Sequence, residues 1–101
     1  MLQIPISSKA PHFSQESDIF GQSFNLEFEW LNTEQFWVLH IYDHTEQPLA
    51  LGIKLQSNWP LFSYWQDEKL LVLLLIANHN NAVPNLANLA KDFYLVAYEA
   101  I

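Results

Sequence analysis

Cysteine is absent from the 101 residues, so neither a disulfide framework nor a thiolate metal site is available and the fold must stand on packing alone. Arginine is absent too. Four lysines against eleven acids give a formal net charge of −7, which opposes the counterion release that drives most nucleic-acid binding. No direct nucleic-acid partner is expected. Glycine occurs only at Gly21 and Gly52, with no G-K-S/T after either, so a phosphate-cradling loop is missing. The longest apolar run, Leu70 to Ala77, falls far short of the roughly 20 residues of a membrane-spanning helix, and no membrane partner is expected. Met1-Leu2-Gln3-Ile4-Pro5-Ile6 has neither the basic start nor the apolar stretch of a secretory signal. Synthesis and folding in a cytoplasm is the expectation.

What is present is hydrophobic and aromatic. Half of the residues are hydrophobic, 15% are aromatic and 15% charged, a composition that folds rather than staying disordered. The length fits a single domain over residues 1–101 with one core.

The strongest pattern runs from Gln22 to Leu31. Phe24, Leu26, Phe28 and Trp30 share one parity, and Ser23, Asn25, Glu27 and Glu29 share the other. A period of two predicts a half-buried strand, because a helix would bring both glutamates into the apolar stripe. After the polar break at Asn32-Thr33-Glu34, Gln35 to Asp43 predicts a second strand. Trp37, Leu39 and Ile41 lie on one side of it, and the only partly polar set Phe36, Val38, His40 and Tyr42 on the other. Such a strand has both faces covered, by a second sheet or a partner subunit. Leu49, Leu51, Ile53 and Leu55 predict a third strand, with Gly52 marking a bulge or close backbone approach. Three alternating strands with short polar turns read as an antiparallel meander, and His12 to Asp18 extends it upstream through a turn at Ile19-Phe20-Gly21.

Pro60 rules out a helix interior around it, and residues 57–65 read as a connection with a short helical turn. Leu70 to Ala77 is a further apolar strand. Leu86, Leu89 and Ala90 suggest one or two helical turns within Pro84 to Asp92, and Phe93 to Tyr98 closes the chain as a strand. The fold class is therefore all-β and mainly antiparallel: a small β-sandwich or partly closed barrel with one or two short helical turns.

Catalytic patterns are scarce. His40 and His44 have a metal-binding spacing only on a helix, His12 and His79 lack neighbouring ligands, and no metal or cofactor is expected. No serine stands in a G-x-S-x-G elbow. Glu27 and Glu29 sit roughly 6.5–7 Å apart on one strand face, a carboxylate pair that a minimal glycosidase would use. Solubility of an open sheet face explains them more simply, so no enzymatic activity is expected. The aromatics Trp59, Phe62, Tyr64 and Trp65 crowd a segment where solubility alone favours polar residues. Phe62 and Trp59 are assigned to capping the core; Tyr64 and Trp65 stand between capping and anchoring another chain. Trp59, Tyr64 and Trp65 form the candidate protein interface, or, in a rival reading, an aromatic-lined groove for a small ligand or carbohydrate.

Taken in order, several segments resemble the baseplate plug proteins of contractile-tailed bacteriophages and prophages. They are Gln3-Ile4-Pro5-Ile6, Phe24-Asn25-Leu26-Glu27-Phe28, the run from Trp37 to Asp43, the run from Pro48 to Leu55, Pro60-Leu61-Phe62, and the run from Asn88 to Tyr98. The similarity spans nearly the whole chain. It departs from the family pattern at Asn85, Asn88 and Ala90, where the family has more glycine and arginine. The resemblance implies a structural, non-enzymatic part of the virion tail baseplate, packed against hub or tube proteins and assembled in the host cytoplasm. Few charges, two-sided apolar strands and no reactive constellation suit a chain buried in an assembly. An exposed sheet edge would also permit strand addition to a neighbour or to another copy.

Overall fold

Eight strands and one helical turn follow one another in a computed structural model that describes residues 2–57, 59–66, 68–78 and 83–100. They are β1 (Leu2–Pro5), β2 (His12–Ile19), β3 (Gln22–Leu31), β4 (Phe36–Asp43), β5 (Pro48–Lys54), β6 (Pro60–Gln66), β7 (Lys69–Ala77), α1 (Leu89–Asp92) and β8 (Phe93–Ala100). Two antiparallel four-stranded sheets form, in the orders β1-β8-β7-β6 and β2-β3-β4-β5. They face each other as a sandwich; the alternative of a partly closed barrel is not what forms.

The period-two segments set the packing. Phe24, Leu26 and Phe28 of β3 and Trp37, Leu39 and Ile41 of β4 turn inward and are fully buried. Opposite them stand Leu71, Leu73 and Leu75 of β7 and Phe93, Leu95 and Ala97 of β8, with Ile4 of β1 beside them. Each large apolar side chain removed from water in this way contributes roughly 1.5–3 kcal/mol. Phe13 stacks on Phe28 with ring centres 4.8 Å apart, and Trp37 meets Trp30 edge-on at 5.7 Å.

The turn expected at residues 19–21 joins β2 to β3. Ile19 pairs with Gln22, and Phe20 and Gly21 both have positive φ, 52° and 83°, the signature of a tight type I′ hairpin. Between β4 and β5, Asp43 Oδ1 accepts hydrogen bonds from the Thr45 N–H, the Thr45 hydroxyl and the Gln47 N–H. The Thr45 hydroxyl above all, with those backbone donors, holds the Asp43 carboxyl below its ordinary value.

Three segments depart from the sequence expectation. Residues 60–66 form strand β6 rather than a connection with a helical turn. Pro60 sits at the first position of an edge strand, where a missing N–H costs little, and a bulge between Pro60 and Phe62 hides the period by inserting Leu61. In β5 the register slips between Leu39 and Ile41, so that Leu51 and Gly52 together oppose His40. Leu51 therefore turns outward at 59% exposure instead of lining the core with Ile53. The helical stretch agrees with the expected one or two turns and is a single one at Leu89–Asp92, because Asn85 and Asn88 bind the backbone before it: Asn85 Oδ1 accepts from the Ala87 and Asn88 N–H groups, and Asn88 Oδ1 from the Asn85 N–H. Finally, residues 2–5, not expected as a strand, pair with β8.

Candidate protein interface

The β1-β8-β7-β6 sheet is apolar on both faces. Strand alternation sends Leu70, Val72, Leu74 and Ile76 of β7 outward, and the antiparallel register sets Tyr98, Val96 and Tyr94 of β8 directly beside the last three. Ser63 and Trp65 of β6 adjoin Val72 and Leu70, while Gln3 and Pro5 of β1 adjoin Val96 and Tyr94. Among these described residues none carries a charge. Sheets open to water on one side normally alternate apolar with polar, so an outward face of leucine, valine, isoleucine and tyrosine is built to be covered. The nearest ion pair, Lys69–Glu99 at 3.3 Å, lies on the other parity at the end of the sheet.

The outer face of the β2-β3-β4-β5 sheet is its opposite. Glu16 and Asp18 of β2 and Glu27 and Glu29 of β3 project there with His12, His40 and Tyr42. His12 Nε2 lies 2.5 Å from Glu27 Oε2, and the Tyr42 hydroxyl donates to Glu27 Oε1 at 3.1 Å. The hydrogen bond to His12 holds the Glu27 carboxyl below its usual value against partial burial, with a smaller contribution from Tyr42. Chiefly through its hydrogen bond to Glu27, the Tyr42 phenol is pushed up.

His40 is fixed from both sides. Its Nδ1 accepts the Gly52 N–H at 2.9 Å, which places the ring proton on Nε2, where it faces Glu29 Oε1 at 3.2 Å. The bulge in β5 releases the Gly52 N–H from strand pairing, and the imidazole takes it up. Glu27 and Glu29 are thus each bound to a different histidine on a sheet surface.

Among the described residues no three histidine, aspartate or glutamate side chains converge on a point that could hold a metal ion. His44 sits in the β4–β5 turn, and His79 lies outside the described residues.

The three aromatic candidates separate. Trp59 and Trp65 are exposed, at 65% and 67%. Tyr64, one residue from Trp65 on a strand, faces the opposite way: it stacks on Phe62 with centres 6.0 Å apart and meets Phe24 edge-on at 5.9 Å. Phe62 packs against the core, as a capping residue does, whereas Trp59 does not. Tyr64 and Trp65 therefore do not line one groove. The larger feature, the uncharged outer face around Val72, was not singled out from the sequence. Its signal was present in residues 70–77, which are apolar on both parities.

Compared with protein families, residues 1–100 match the family described as cyanophage baseplate Pam3 plug gp18. The chain belongs to this family. Comparison with curated proteins gives no match. Membership makes the protein a structural component of a phage tail baseplate, associated with other baseplate or tail components. No helix among the described residues is long and apolar enough to cross a membrane.

Proposed function

We propose that this baseplate plug serves a contractile tail and seats against hub or tube proteins through the outer face of the β1-β8-β7-β6 sheet. The observation that carries the reading is the charge-free row of Leu70, Val72, Leu74 and Ile76 beside Tyr94 and Tyr98, with Val96 already buried between them. Trp65 continues that face on β6, and Trp59, just before the strand, adds an exposed aromatic anchor. Tyr64 lies on the inner side of β6, stacked on Phe62. Assembly takes place in the host cytoplasm, and the role is architectural, without a reaction of its own.

The test is co-purification from cells expressing the complete tail operon, followed by mass spectrometry of the attached proteins. Wild-type plug retains hub or tube proteins, and Val72→Glu, with a charge in the centre of the face, loses them while keeping its β-sheet circular dichroism. A folded Val72→Glu plug that retains the same partners in the same amounts overturns the proposed seat.

A further inference from the structure

The sandwich has a second feature, on the side where β1 and β2 lie at the edges of opposite sheets and do not pair. A hollow of about 310 Å³ lies between residues 2–5 and 15–18. One end is closed by Gln15, whose side chain donates to the Pro5 carbonyl at 3.0 Å and accepts the Ser7 N–H at 2.9 Å. The other end is open.

The backbone directions follow from these contacts. Because the Pro5 carbonyl points across the seam, Gln3, two residues earlier on the same strand, turns its N–H and C=O the same way. On β2, the Pro11 carbonyl accepts the Trp30 N–H and Ile19 pairs with Gln22 at the hairpin, so the odd residues bond to β3. The N–H and C=O groups of Ser14, Glu16 and Asp18 then face the seam. Two strand edges thus present main-chain donors and acceptors to one gap, which is the chemistry that recognises an extended peptide. The opposite side of the sandwich offers no such template: β5 and β6 each begin with proline and each carries a bulge.

Side chains define the occupant further. Glu16 and Asp18 stand on the outer face of β2, and an added strand would place its outward parity beside them, where basic residues are favoured. Its inward parity would meet Ile4 and Ser17, both buried, which favours small apolar residues. This chain cannot supply such a segment to another copy, since it has no arginine and its four lysines, at 9, 54, 69 and 91, are isolated. We infer that the seam between β1 and β2 takes an extended segment of a different protein, with basic side chains on one parity and small apolar ones on the other.

A short synthetic peptide alternating lysine and valine tests this with the full chain, against a peptide of the same composition with its lysines and valines in two blocks. Amide exchange at Gln3, Glu16 and Asp18 slows by at least about tenfold with the alternating peptide and not with the blocked one. In the double variant Glu16→Lys, Asp18→Lys the alternating lysine peptide binds about tenfold more weakly, and a glutamate–valine peptide takes its place. No binding, equal binding of the alternating and blocked peptides, or protection only at other amides each overturns the inference. The blocked-peptide comparison uses the wild-type chain and decides the matter even if the double variant does not fold.

Discussion

The indole N–H of Trp37 donates to the carbonyl oxygen of Asn85 at 2.8 Å, a bond that spans 48 positions of sequence and ties the β2-β3-β4-β5 sheet to the loop before α1. The bond has two consequences. It satisfies the one polar group of a side chain that is otherwise fully buried, and it fixes the loop in which Asn85 and Asn88 exchange hydrogen bonds. Leu89, at the end of that loop, closes over the core.

Replacing Trp37 with phenylalanine therefore removes a donor, leaves the Asn85 carbonyl without its partner and opens a void the size of half an indole. The expected loss is about 2–3 kcal/mol. Urea unfolding followed by circular dichroism measures it, and faster amide exchange at Ala87 and Asn88 distinguishes a loosened loop from general destabilisation.

The legible parts of this fold were those where one residue alternation served one purpose. Phe24, Leu26 and Phe28 face the core and Glu27 and Glu29 face water, so β3 announced itself, and β4 followed with Trp37, Leu39 and Ile41. The alternation failed where the backbone inserted a residue. Leu51 sits on the apolar parity of its segment, yet the bulge at Gly52 turns it outward, and Leu61 conceals the alternation of Phe62 and Tyr64 in the same way. Bulges of this kind are set by the partner strand's register, which a single segment does not display. The uncharged outer face of β7 and β8 was obscured for a related reason. Leucine on both parities of β7 reads as a buried strand, and only the three-dimensional layering shows that one of its two faces has no second sheet over it.

The β2–β3 hairpin contains an avoidable strain. Phe20 occupies the first central position of the turn at φ 52°, where a side chain with a Cβ is disfavoured, and it is 40% exposed. Asparagine tolerates that conformation, and Asn-Gly is the preferred pair for this turn. Phe20→Asn is expected to stabilise the free chain by about 1 kcal/mol, read as a higher unfolding midpoint with an unchanged denaturant slope. A lower midpoint would show that the Phe20 ring contributes more by packing than its backbone costs.

Acid should act through Glu27. Its carboxyl titrates below the ordinary value because of His12, with Tyr42 adding to the effect, so the folded state binds that proton less readily than the unfolded chain. The linked stability is fully present above the usual carboxylate value near 4.5 and is lost as the pH falls through the lower folded value. Glu27→Gln removes this dependence. Urea midpoints at neutral pH and at about pH 3 should fall further on acidification for the wild type than for the variant; equal falls would show that other carboxylates account for the acid sensitivity.

Val72 and Leu73 are neighbours in sequence with opposite fates, and together they separate folding from assembly. Leu73 is 1% exposed, among the inward residues of both sheets, and Leu73→Ala leaves a cavity that should cost about 2–5 kcal/mol. Its partners in the tail are affected only to the extent that the fold is lost, so recovery at low temperature should restore them. Val72 projects to the outside beside Tyr98 and Ser63, and Val72→Glu should change the stability of the free chain by no more than about 1 kcal/mol. In the assembly the same carboxylate would be trapped without a partner in an uncharged contact, which is far more costly than its effect on the free sheet. Thermal unfolding of the purified variants and their retention in the tail complex should therefore rank in opposite orders: Leu73→Ala the less stable but the better retained, Val72→Glu the more stable but the more completely excluded.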